Sequence, residues 1–178
     1  MAVSSHSVWD AIVLEAGFES PLWGECVLPD EAQERVAVFS ALGEERFELG
    51  LETIYEGYLM HYGRPRLFAP PDRDNALLLG DYLYAHGLVR VASFHEVEAV
   101  SDLAELISLC AQLRAANVDG DGAAWAASAA LLGRGKLVVA RDALRVGGDP
   151  DPLLALAYEA SGAEAVDGAL AAHRIRVG

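Results

Sequence analysis

Glu52 and Glu56 lie four residues apart, so on a helix both carboxylates share one face. Paired oxygens at that spacing can hold a divalent cation such as magnesium, with phosphate oxygens completing its shell. The alternative is a solvated acidic face. A short way on, Arg64 and Arg66 flank Pro65 just after Gly63. A turn presenting two guanidinium groups can grip a phosphate, or it can be a solvated loop. Tyr55, Tyr58 and Tyr62 recur at i, i+3 and i+7 between these two features. Such a stripe lines an apolar channel, or packs in a core with its hydroxyls reaching the surface.

Other chemistry-bearing patterns fall away on inspection. Residues 117–122, NVDGDG, superficially suggest a calcium loop, but the twelfth position is Ser128, which cannot ligate bidentately. Gly133-Arg134-Gly135-Lys136 lacks the preceding strand and the following Ser or Thr of a phosphate loop. His61, His86 and His95 have no metal-ligand spacing. Nothing marks a nucleophile elbow.

The elements that must position the two acids and two arginines are helical. The third helix predicted is 44–61, with Phe47, Leu51, Ile54, Tyr58 and Leu59 as its apolar stripe. Residues 62–75 carry Gly63, Pro65, Pro70 and Pro71 and must turn. Asp72 or Asp74 caps a fourth helix reaching about Phe94. Before these, 4–17 reads as a short amphipathic helix stopped at Gly17. Residues 19–29 read as a loop, and a helix follows that is capped by Asp30 and buries Val36, Phe39, Ala41 and Leu42. After them come helices over 95–116, 123–132, 136–146, 153–160 and 163–173, with 117–122 the clearest linker. Leu137-Val138-Val139 is the only short strand candidate. The class expected is all-α, a single domain over 1–178 forming a bundle of seven to nine antiparallel helices.

The totals limit the partners. Hydrophobic residues make up 53% and charged residues 22%, which argues against disorder. The net charge is -14, with Lys136 the only lysine, which disfavours nucleic acid and anionic membrane. A local arginine cluster could still bind a diphosphate. Cys26 and Cys110 make neither a disulfide framework nor a zinc site. The first residues lack a basic leader, and the longest uncharged apolar run, 122–133, is too short to span a bilayer. These features together point to a cytoplasmic protein.

The central stretch, 51–92, resembles the trans-isoprenyl diphosphate synthases (polyprenyl synthetases). In that family a helix carries D-D-x-x-D, a basic turn R-R-G-K-P follows, and a helix starting G-D-Y-L-x-A comes after a fixed gap. Here His61-Tyr62-Gly63-Arg64-Pro65 stands at the basic turn, and Gly80-Asp81-Tyr82-Leu83-Tyr84-Ala85 begins fifteen positions after Pro65. Glu52-Thr53-Ile54-Tyr55-Glu56 then falls on the acidic motif without a gap. The resemblance covers 47–115, and 119–178 has no counterpart.

The resemblance implies an isoprenoid-synthase-like helical scaffold in which Glu52 and Glu56 would hold magnesium and Arg64 and Arg66 a prenyl diphosphate. It departs from the family where chemistry is concerned. The middle acid is Thr53, the paired arginines of the turn are His61 and Tyr62, and no second acidic motif follows. Prenyl transfer needs metal ions on both acid clusters to neutralise the leaving diphosphate. The chain therefore looks like a small non-catalytic or regulatory subunit that supports activity and chain length in a catalytic prenyl synthase partner, as a heterodimer or through self-association. Its interface would be an exposed apolar face at 51–59 or 77–91. Two other readings remain: a reduced stand-alone prenyl or terpenoid synthase using Glu52 and Glu56, and a helical binding or scaffold module without prenyl chemistry.

Overall fold

The computed structural model describes residues 7–177. Among them the chain is all-helical, with nine α-helices and a single isolated antiparallel bridge, Val27 to Phe68, in place of any sheet. The organising element is α3 (Glu48–Tyr62), which is buried along its whole middle: every residue from Gly50 to Met60 is inaccessible. One apolar cluster surrounds it with α5 (Val97–Ala116), α6 (Asp121–Ala130), α7 (Val138–Gly147), α8 (Asp151–Ser161) and α9 (Ala163–Val177). A second, smaller cluster forms on its other side beneath α1 (Val8–Glu19) and α2 (Pro21–Glu25), using Met60, Leu67, Phe68, Leu79 and Leu83. A helix buried on all sides has no solvated face, so its polar residues must find partners inside the protein.

α4 (Arg73–Ala92) lies against α3 more closely than ordinary side chains would permit. A Cβ on Gly57 would sit 2.9 Å from the carbonyl oxygen of Gly80, and one on Gly87 would sit 2.9 Å from that of Gly50. Each helix thus carries two glycines seven residues apart, and the pairs meet across the contact. Gly80 lies in the middle of α4; the cap is Asp72, whose side chain accepts from the Asn75 amide at 2.8 Å.

Several expected boundaries shift for identifiable reasons. The helix predicted from Asp30 is instead two 3-10 turns, Asp30–Ala32 and Ser40–Leu42, with largely non-helical chain between them. The Glu34 amide donates to the Arg66 carbonyl at 3.0 Å, so this segment satisfies its backbone on the turn after α3. Gly17 does not stop α1, which runs on to Glu19; the expected start at Ser4 lies outside the described residues. The expected loop 19–29 holds α2, opened by a Ser20 cap with Pro21 in its first turn. The strand candidate at Leu137 is the start of α7, with Val138 and Val139 facing solvent. The linker ends early, since Asp121 already belongs to α6. No helix among the described residues is long and apolar enough to cross a membrane.

Candidate functional site

The acidic pair and the basic turn do come together, and they consume each other. Glu52, Glu56 and Arg66 are each at most 1% exposed. The Arg66 guanidinium donates from Nε to Glu56 Oε2 at 2.9 Å and from Nη1 to Glu52 Oε2 at 2.6 Å. It donates also to the Val36 carbonyl at 2.9 Å and the Glu52 carbonyl at 3.3 Å. Glu56 Oε1 accepts the backbone amides of Arg66 at 2.7 Å and Leu67 at 2.8 Å. The Trp9 and Tyr55 rings lie 4.9 and 5.0 Å from Arg66 Cζ and complete the enclosure. Burial alone would weaken the guanidinium's hold on its proton; the charges of Glu52 and Glu56 outweigh it and raise the pKa.

This arrangement corrects two expectations. A magnesium ion at Glu52 and Glu56 would have to displace Arg66, which already fills the space between the carboxylates with the opposite charge. The residues do not fit the metal. Among the described residues, no group of three or more His, Cys, Asp or Glu could hold one elsewhere. Arg66 likewise cannot reach a diphosphate from a sealed interior. Arg64 is the outward member of the pair, with its side chain 60% exposed and 3.5 Å from Glu34 Oε1.

Most of the remaining motif positions serve packing, while the Asp81 side chain is largely exposed. Gly63 ends α3, and a Cβ there would lie 2.9 Å from the Arg176 carbonyl; Pro65 follows in the turn that carries Arg66 inward. His61 stacks on Tyr84 at 5.1 Å, with its Nε2 3.2 Å from the Asp81 carboxylate. Burial lowers the His61 pKa against the pull of Asp81. Tyr82 stacks on Trp23 at 6.4 Å and reaches the Glu15 carbonyl, which fastens α4 to the α1–α2 corner.

A second polar cluster was invisible to motif reasoning. Tyr55 and Tyr58 point into the larger core, where they pack with Phe39, Trp125 and His173. The Tyr55 hydroxyl lies 2.9 Å from His173 Nδ1, and His173 Nε2 lies 3.4 Å from Asp121 Oδ2. The same Asp121 oxygen accepts from the Tyr58 hydroxyl and from Arg114 Nη2, while Arg114 Nε donates to the Tyr58 oxygen at 3.0 Å. Burial pushes the Asp121 pKa up, but the hydrogen bonds from His173 and Tyr58 and the charges of His173 and Arg114 bring it well below the carboxylate range. Burial foremost, then Asp121, raise that of Tyr58, so its phenol stays a donor. Asp121 and His173 are 52 residues apart, and Tyr55 and His173 are 118 apart. The available signal was a lone Asp opening an alanine-rich helix and a lone His near the end of another, with no spacing to join them.

No family model matches this chain, and no curated protein or solved structure matches it either.

Proposed function

We propose that this chain is a non-catalytic subunit of a heteromeric polyprenyl diphosphate synthase, built to complete a catalytic partner. The observation that carries the reading is Arg66 lodged between Glu52 and Glu56. The stretch that resembles the acidic motif and the basic turn is present at its family spacing, and both of its carboxylates are committed to Arg66 in the interior. Such a helix pair supports an architecture and has given up metal-assisted leaving-group chemistry. Buried free Cys26 and Cys110 suit the reduced cytoplasmic setting this reading implies.

The interface expected at 51–59 moves, because α3 is enclosed on all sides. The other expected location is supported by Leu78 at 57% and Val89 at 65% exposure, eleven residues apart and therefore on one stripe of α4. Exposed Ala85 and Ala92 extend that stripe. Co-expression with a catalytic polyprenyl synthase tests the proposal. The pair should co-purify and gain prenyl transfer, and Leu78→Asp with Val89→Asp should disperse it while leaving the helical circular dichroism intact. No complex and no gain with the unaltered chain would overturn the reading.

A further inference from the structure

A cavity of about 510 Å³ opens where the end of α5, the start of α6, α8 and α9 converge. Its walls are largely apolar, with Leu113, Val118, Leu154, Leu170 and Val177 among them. Its ionisable lining consists of Arg114, Asp119, Asp121, His173 and Arg174, a mixture of guanidinium, carboxylate and imidazole groups. A volume of this size with apolar walls and a few convergent polar groups is the usual form of a small-molecule site. The polar groups also come at a stability cost that packed apolar side chains would avoid.

Not all of their hydrogen-bonding capacity is used within the protein. Arg114 engages Tyr58 through Nε and Asp121 through Nη2, and Nη1 has no protein partner among the described residues. Asp121 Oδ2 is surrounded by Tyr58, Arg114 and His173, whereas among the described residues Oδ1 accepts only the adjoining Gly122 amide at 3.0 Å. A spare donor and a spare acceptor thus stand on neighbouring groups of one lining. That combination matches a hydroxyl or primary amide, which gives and receives at one point. A carboxylate or an ammonium would satisfy one group and meet the like charge of the other.

We propose that this cavity binds an uncharged amphiphile, an alcohol or amide carrying a hydrocarbon chain, with its head at Arg114 and Asp121 and its chain along Leu154 and Leu170. The site shares no lining residue with the α4 stripe. The probe is 1-octanol, titrated into the full chain and followed by amide and methyl NMR shifts, with octanoate and octylammonium as charged counterparts. Octanol should give saturable shifts confined to the cavity lining, and each charged counterpart should bind about tenfold or more weakly.

Leu170→Trp, at a partly buried wall position, should fill the cavity and lower octanol affinity about tenfold or more with helicity retained. If that variant unfolds, Leu154→Trp makes the same measurement from the facing helix. Asp119→Lys, on the exposed rim and away from the Arg114 and Asp121 head position, should leave octanol binding in place. Octanol shifts that never saturate, shifts undiminished in a folded cavity-filling variant, or octanoate binding as tight as octanol to the unaltered chain would each overturn the proposal.

Discussion

Two of the clusters of buried charge among the described residues contain similar ingredients and have opposite surroundings. At Glu52, Glu56 and Arg66 the carboxylates enclose a guanidinium whose every named partner is a protein group, and the aromatic rings of Trp9 and Tyr55 close over it. At Asp121, Arg114 and His173 a carboxylate meets a guanidinium and an imidazole at the edge of a cavity, with side-chain exposures of 15%, 28% and 2%. A sealed cluster can act only on the protein itself: it fixes how the turn sits on α3. An open cluster retains capacity for something else. Burial of a charged group is thus poor evidence for a site until its remaining hydrogen-bond capacity has been counted.

The sealed cluster gives the largest expected effect. Arg66→Met keeps the side chain's apolar length and leaves two carboxylates facing each other without a cation. Breaking a buried ion group in this way costs about 3–5 kcal/mol. Urea unfolding should show the midpoint falling accordingly, or no folded protein at all. Arg66→Met combined with Glu52→Met and Glu56→Gln should recover part of that loss, since no unpaired charge is left and the glutamine amide oxygen can still accept the Arg66 and Leu67 backbone amides. A mild effect from Arg66→Met alone would mean that water reaches the cluster, and the contrast with the open region would collapse.

The open cluster should respond less. Asp121→Asn removes a charged acceptor from Arg114, Tyr58 and His173, and hydrogen bonds to charged groups are worth about 1.5–3 kcal/mol. Because the folded state lowers the Asp121 pKa, its contribution is present above the ordinary carboxylate range and is lost as pH falls below it. The gap between wild type and Asp121→Asn should therefore be full at pH 7 and narrow through the acid limb. A gap independent of pH down to about 3 would show that the carboxylate charge contributes nothing.

How far the sequence disclosed these two regions follows from the same difference. Glu52, Glu56 and Arg66 lie within fifteen residues, so local spacing could bring them together in thought; what it could not show was which way Arg66 turns. That depends on Val36 offering its carbonyl and Trp9 its ring from remote segments. The longer helices were legible from apolar periodicity and from the Asp72 cap; α2 was hidden by Pro21 and Gly24, which read as loop, and at Asp30 a tertiary backbone contact overrode the local cap signal. Tyr58, Arg114, Asp121 and His173 come from four different helices, and no periodicity encodes a convergence of that kind.

A smaller effect tests the close approach of α3 and α4. Gly57→Ala gains about 1 kcal/mol of helix propensity and must then push its Cβ away from the Gly80 carbonyl at 2.9 Å. Overpacking against backbone costs about 1–3 kcal/mol, so the net should be a loss of about 1 kcal/mol. Gly168→Ala, in α9 with no atom within 4 Å of its Cβ, makes the comparison sharp. It should stabilise by up to about 1 kcal/mol, because there propensity acts unopposed. Equal and opposite-signed shifts in the two thermal melts would show that contact, and not glycine's chain entropy, sets the requirement at position 57.

The smallest effect concerns Arg64, the outward arm of the turn. Its side chain is 60% exposed and stands 3.5 Å from Glu34, so Arg64→Ala should change stability by no more than about 0.5 kcal/mol. That neutrality makes it a clean probe of ligand binding. With Arg66 turned inward, the turn presents one arm where a diphosphate clamp needs two, and Glu34 competes for that arm. Calorimetric titration of pyrophosphate should give the same weak, unsaturable heat for wild type and for Arg64→Ala. Saturable heat in wild type that disappears in Arg64→Ala would return the turn to diphosphate recognition. It would make the region around the sealed triad a site in its own right, built on its outer edge.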